Sequence, residues 1–264
     1  MKRIASADNP RFKSLLKLAE SSRERKKLGL SLLDGVHLVA AYREHVGVPE
    51  QLVISDTGAT LEEVRSLVDT MAPLAPLVLS DQLFHQLSTV ATPTGVLAAV
   101  NTPRPPVAPE HLDTCVMLED IQDPGNLGSI LRSAAAAGIE HVFLSHTSVH
   151  AWSPRVLRAG MGAHFMVRIY EQCDLIALVR AFKGRVIGTS QRAKKPVFDA
   201  DLSGRVAFLF GNEGAGLSAE LTAVAHELVC IPMPGAAESL NIAAATAVCL
   251  FERVRQQHAA PRRQ

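Results

Sequence analysis

Short, unbroken apolar runs alternate along this chain with longer stretches whose apolar residues recur every three or four positions. The first pattern marks buried strands and the second amphipathic helices. In the first hundred residues "LSLLDG", "QLVIS", "APLVLS" and "GVLAAV" are expected strands, and "LLKLAE", "VHLVAAYREH", "TLEEVRSLVDTM" and "DQLFHQLS" expected helices. Such alternation describes a small α/β layer. Residues 101–111, "NTPRPPVAPEH", hold four prolines and no periodic apolar pattern, so they read as an extended linker. Alternation then resumes with strands "CVMLED", "HVFLS", "RVIGTS", "RVAFLFG" and "ELVCIP". Between them lie helices "GNLGSILRSAAAAG", "SPRVLRAGMGA", "LIALVRAF" and "SAELTAVA", and a long C-terminal helix "SLNIAAATAVCLFERVRQQ". These strands lack polar alternation, as expected for a parallel sheet covered on both faces. Two α/β domains follow, residues 1–100 and 112–264, joined by the linker.

Composition changes this picture little. A chain of 264 residues, 47% hydrophobic and 20% charged, accommodates two domains. Cys115, Cys173, Cys230 and Cys249 are far apart with no C-x-x-C pair, which argues against zinc, or any metal site, and against a disulfide framework. No apolar leader core and no membrane-length apolar run is present, so the expected location is the cytoplasm or an organelle matrix. Charge matters more. The net charge of +1 hides an asymmetry: residues 1–45 hold ten Lys/Arg against five Asp/Glu, residues 46–110 two against seven. Within the first segment "RERKK", residues 23–27, would present a positive edge to a phosphate backbone; a solvated helix face is the plain alternative.

Parallel α/β sheets bind ligands where strands lead into helices at their carboxyl ends, and three polar segments hold that position. In the first, "LEDIQDPGNLGSILRSAAAAG", Asp123 and Pro124 suit a helix N-cap and first turn. Asn126, Ser129 and Ser133 then form a polar stripe with Arg132 on its margin, suited to a ribose or phosphate, or to simple capping and a surface ion pair. The second, "LFGNEGAGLS", spaces Gly211 and Gly216 like a nucleoside-triphosphate loop, but Leu217 stands where that loop needs Lys. Glu213 would also repel a polyphosphate, so the turn serves a neutral or cationic ligand or is structural. In the third, "CIPMPGAAESLNIAAATAVCLFE", Ser239 sits near a helix start and Asn241 two residues inside it, where Asn is a poor helix former without a partner.

Together, and in this order, "DPGNLGSILRSA", "LFGNEGAGLS" and "IPMPGAAESLNIAAATAV" resemble the signature of the SpoU (TrmH-like) RNA 2′-O-ribose methyltransferases. "LLDGVHLV" and "LSTVATPTGVLAAV" resemble the substrate-binding domain found in many of that family. The resemblance implies a trefoil-knotted α/β methyltransferase domain, S-adenosylmethionine as cofactor, and a homodimer. It makes Asn126, Arg132, Glu213, Ser239 and Asn241 the polar active-site set. Gly211, Ile231 and Leu240 would contact the cofactor through their backbones, with Asn212, Gly216 and Met233 beside them and Thr189 and Ser190 near the adenosine. A compact sulfonium also removes the need for the missing Lys.

The resemblance points to Arg132 as the residue that activates the 2′-hydroxyl. A guanidinium stays protonated in proteins, so Arg132 could instead bind an RNA phosphate and stabilise the developing alkoxide, with Glu213 orienting it or accepting the proton. Arg11, Lys13, Arg25, Lys26 and Lys27, with Arg155 further on, are the expected RNA contacts. Ribosomal RNA is the favoured substrate. A transfer-RNA methyltransferase, a noncatalytic RNA-binding homologue and a P-loop-type nucleotide enzyme are the competing readings.

Overall fold

A computed structural model of the chain describes residues 2–106 and 112–259. In chain order the elements are β1 (Lys2–Ile4), α1 (Pro10–Glu20), α2 (Ser22–Leu28), β2 (Leu30–Asp34), α3 (Val36–His45), β3 (Gln51–Ser55), α4 (Glu62–Asp69), β4 (Leu77–Leu79), α5 (Asp81–Leu87) and β5 (Val96–Asn101). The second half follows with β6 (Thr114–Leu118), α6 (Pro124–Ala136), β7 (His141–Ser145), α7 (Pro154–Gly160), β8 (Arg168–Cys173), α8 (Leu175–Ala181), β9 (Arg185–Thr189), β10 (Lys195–Pro196), β11 (Val206–Phe210), α9 (Ala219–Val224), β12 (Glu227–Cys230) and α10 (Ile242–Ala259). Part of the linker and the last five residues lie outside the described region.

Contacts divide the chain into two units, Met1–Pro103 with Trp152–Phe165, and Arg104–Ala151 with Met166–Gln264. Residues 152–165, read from the sequence as part of the second domain, thus group with the first hundred residues. The reason is burial: Trp152, Val156, Leu157 and Ala163 are all buried, α7 packs on β2, and Phe165 meets the Tyr42 ring edge-on at 5.3 Å. The first unit is built on a five-stranded sheet of order β1-β4-β3-β5-β2, in which β5 runs antiparallel to both its neighbours. Helix α1 begins where the Asn9 side chain accepts the Arg11 amide and Pro10 supplies the first helical residue. Its Phe12, Leu15 and Leu18 recur at helical spacing and join the core beside the sheet.

A seven-stranded sheet of order β10-β12-β9-β11-β6-β7-β8 organises the second unit, and every described pairing in it is parallel. The central strand β11 is buried along its whole length, which explains its unbroken apolar run. The outermost strand β8, "RIYEQC", is half exposed and mixed in polarity, so the apolar pattern did not show it. The carboxyl ends of β6, β11 and β12 carry the three polar segments.

Candidate active site

The site is assembled at the start of α6. Asp123 caps that helix, its carboxylate accepting the Asn126 amide at 2.8 Å, with Pro124 at the first position. The backbone of Asn126 is thereby held while its side chain faces outward. Its Nδ2 donates to Glu213 at 3.1 Å, and its Oδ1 accepts from Asn241 Nδ2 at 2.8 Å. Asn126 therefore joins residues from all three segments.

Glu213 also accepts the backbone amides of Gln122 at 3.3 Å and Asp123 at 3.2 Å. Partial burial works against its charge and is the largest influence. The hydrogen bonds from Asn126, its own backbone, Asp123 and Gln122 together outweigh it and hold the carboxyl below the ordinary glutamate value. A helix N-terminus beside it favours the anion as well.

The glycine turn is closed by its own backbone. Asn212 and Gly216 exchange N–H···O bonds at 3.0 and 2.9 Å, and Gly216 holds a left-handed φ of 73°. A Cβ on Gly211 would stand 2.2 Å from the Gly216 carbonyl carbon, so that position admits only glycine. The Asn212 side chain accepts the Gly214 and Ala215 amides and donates to the backbone and carboxylate of Asp120. Glu119 completes the tie by accepting the Ser218 amide at 2.7 Å, at the N-cap of α9. Glu119, Asp120 and Gln122 were not singled out in the sequence. Asp120 could have been sought as a small polar residue two positions past a strand that must turn sharply, and it does so with φ of 54°.

Three expectations change. Asn241 is not inside the last helix but caps it: its Oδ1 accepts the Ala243 and Ala244 amides, and its carbonyl accepts Ala245. This removes the puzzle of an Asn in a helix interior. Glu213 does not contact Arg132, which is exposed and makes no hydrogen bond or ion pair among the described residues, because the carboxylate is already committed to Asn126 and the α6 N-terminus. Arg25 is buried, and its guanidinium donates to the Leu18 and Ala19 carbonyls that end α1, so it serves the fold rather than a phosphate.

Other residues fall as follows. Ser239 is exposed on the loop before α10. Thr189 donates to the Leu209 carbonyl, and the Ser190 amide to the Val229 carbonyl, where β9, β11 and β12 end side by side. Ile231 and Met233 are half-buried and Leu240 is exposed. Among the described residues the backbone amides and carbonyls of 231–240 make no hydrogen bonds, so they are available to a ligand. Neither 209–218 nor 230–241 contains Lys or Arg. Free backbone groups, a tight glycine turn and no cation fit adenosine and a positively charged sulfonium. Of the expected RNA contacts, Arg11, Lys26, Lys27 and Arg155 are exposed, while Lys13 pairs with Asp8 at 2.8 Å at the surface. All four cysteines are free. Among the described residues no group of three or more His, Cys, Asp and Glu could hold a metal, and no helix is long and apolar enough to cross a membrane.

Known proteins resemble this chain along nearly its whole length. The profile of the SpoU rRNA Methylase family matches residues 113–251, and that of an MRM3-like substrate binding domain matches residues 9–98. The chain is 30% identical, over 95% of its own length and 98% of the relative's, to the 23S rRNA (guanosine(2553)-2′-O)-methyltransferase of Bacillus subtilis. It is 30% identical over 97% of its length to the 23S rRNA (uridine(2479)-2′-O)-methyltransferase of Streptomyces viridochromogenes, covering 93% of that protein. Among solved structures, an AdoMet-bound rRNA methyltransferase from Sinorhizobium meliloti superposes with a TM-score of 0.83 at 30% identity, covering 97% of this chain and 98% of that one.

Proposed function

The chain belongs to the SpoU rRNA methylase family, and from this premise we propose that it methylates the 2′-hydroxyl of one ribose in ribosomal RNA, in the cytoplasm, using S-adenosylmethionine. The observation that carries the reading is the contact chain Glu213–Asn126–Asn241, which draws the three signature segments to one place. When bound, the cofactor supplies an electrophilic methyl group on a sulfonium. The loop 231–240, the Gly211–Gly216 turn and the Thr189–Ser190 strand end would hold it. Methyl transfer is an in-line displacement, so the ribose oxygen must be fixed to within a fraction of an ångström. Asn126, held from three sides, and Asn241, fixed by its capping role, supply that rigidity. Arg132, unpaired beside them on α6, is left free to meet RNA and to stabilise the alkoxide as the hydroxyl loses its proton.

A trefoil knot in the second unit and a homodimer, both implied by the resemblance, belong to this proposal. In the sheet, β12 lies between β9 and β10 although β11 and α9 precede it in the chain. For the dimer, α10 presents Phe251, 47% exposed, on the same side as Ala244 and Val248. Sedimentation equilibrium showing a single-chain mass would exclude the dimer. Activity is tested by incubating the protein with methyl-labelled S-adenosylmethionine and unmodified 23S rRNA. Label in a single 2′-O-methylated nucleotide is expected; label in transfer RNA alone, or none, refutes the proposal.

A further inference from the structure

Beside the candidate site, the edge of the seven-stranded sheet carries polar groups that methyl transfer does not use. The pairing of β7 with the outermost strand β8 shifts register between Phe143 and Ser145. At this irregularity Gln172 holds φ of 60°, a left-handed conformation uncommon for a side chain of that length. Its amide is turned onto the loop after β7: Oε1 meets His146 Nδ1 at 3.3 Å, and Nε2 donates to the His146 carbonyl at 3.3 Å. The next residue, Thr147, accepts Gln122 Nε2 through its carbonyl, and Gln122 donates its backbone amide to Glu213. Gln172 is thus connected to Glu213, Asn126 and Asn241 through hydrogen bonds and the single His146–Thr147 peptide link. Bulges commonly re-aim side chains next to active sites, and left-handed strain persists where the surroundings enforce it.

What remains unused on these side chains is a fixed array of donors and acceptors. The Nε2 edge of His146 is unoccupied, an acceptor in the neutral ring that donates Nδ1–H to Gln172 and a donor in the protonated one. Gln172 keeps a second amide N–H, and Gln122 keeps its carbonyl oxygen; all three residues are exposed, and these groups have no partner among the described residues. Such an array suits the edge of an unpaired base, the part of RNA that carries sequence. Similar chains named for a guanosine and for a uridine target show that the shared fold does not by itself choose the base.

We propose that Gln122, His146 and Gln172 form a subsite that reads the base of the nucleotide whose ribose is methylated; this rests on the ribosomal RNA methyltransferase reading above. The test uses the full-length protein, labelled S-adenosylmethionine and an unmodified 23S rRNA transcript, with methylated riboses mapped by primer extension. Gln172→Gly removes the amide and relaxes the left-handed backbone, so its melting temperature and cofactor affinity should be unchanged or improved. Its kcat/KM for RNA should fall about tenfold, or methyl groups should spread to further riboses. His146→Ala should act in the same direction. Gln172→Asn keeps an amide and tolerates the backbone, and should recover part of the loss. If the wild type modifies one nucleotide and both Gln172→Gly and His146→Ala do so with unaltered kcat/KM, the base-reading subsite is refuted while the enzyme assignment stands. If the wild type is inactive, the enzyme assignment itself falls, and the subsite with it.

Discussion

At the scale of single residues, Glu213 and Arg132 differ in what holds them: Glu213 is fixed by Asn126 and the α6 N-terminus, and Arg132 is exposed. A general base works best with a pKa near the operating pH, and Glu213 is held below even the ordinary carboxyl value by four hydrogen bonds acting against burial. It is ionised at neutral pH and a weak proton acceptor. Glu213→Gln should therefore keep the acid limb of the pH–rate profile where the wild type has it, while kcat falls about tenfold because the docked segments loosen. Disappearance of that limb would make Glu213 the base. The same depressed pKa sets the sign of the stability effect. The carboxylate stabilises the docked segments above the ordinary glutamate value, and this contribution is lost as pH falls through the lower native one. Arg132→Ala should leave melting temperature and cofactor affinity unchanged, since the side chain bonds to nothing among the described residues, yet lower kcat by roughly 100-fold. A parallel loss of folding stability would show a structural role instead. The sequence left both arrangements open, Arg132 alone on RNA or Arg132 oriented by Glu213, because it does not report that Asn126 and the α6 N-terminus occupy the carboxylate.

At the scale of elements, buried strands and amphipathic helices were legible because burial on both faces, or on one helical stripe, leaves a period in the sequence. β7, β9, β11 and β12 fall within expected apolar runs, and β6 starts one residue before its run. Elements at the margin leave no such trace: β8 is a half-exposed edge, β10 has two residues, and α2, "SRERKKL", has almost no apolar stripe. Asn241 was misplaced by two residues because a cap and a first-turn residue look alike in the sequence, and only the accepted amides tell them apart. Glycines carry the same lesson. Gly211 and Gly214 look equivalent in "LFGNEGAGLS", but a Cβ at 211 would lie 2.2–2.3 Å from backbone atoms of Gly216 and Leu217, whereas at 214 its nearest neighbour is Asn212 Oδ1 at 3.6 Å. Gly211→Ala should cost about 3 kcal/mol in urea unfolding, because backbone cannot yield as a flexible side chain does, and should weaken S-adenosylmethionine binding. Gly214→Ala should change stability by less than about 0.5 kcal/mol. Equal costs at both positions would contradict the closed turn.

At the scale of the molecule, a chain segment and a structural unit are not the same object. In the sequence a basic N-terminal stretch and, far downstream, Arg155 are candidates for one RNA surface, with nothing to show that their elements meet. The structure puts α2 and α7 in one unit, both packed against the edge strand β2, so Lys26, Lys27 and Arg155 are exposed on elements that share a neighbour. No periodicity could report that residues 152–165 join the first unit, because the cause is long-range burial of Trp152, Val156 and Leu157. Deleting residues 1–45 is then a poor test of RNA binding: it removes Phe12, Leu15, Leu18, Leu32 and Leu33 from the core and leaves α7 without the strand it packs on. Substitution at the surface keeps the unit intact. The triple variant Lys26→Ala, Lys27→Ala, Arg155→Ala should fold with an unchanged melting temperature and bind S-adenosylmethionine normally. Its affinity for 23S rRNA should fall by about tenfold or more at low salt. Each lost phosphate contact also releases fewer counterions, so the slope of log affinity against log salt should become shallower by roughly 0.7–0.9 per residue. Weaker binding with an unaltered slope would mean that these cations act through the fold and not on the phosphate backbone, and would return the RNA surface to some other part of the chain.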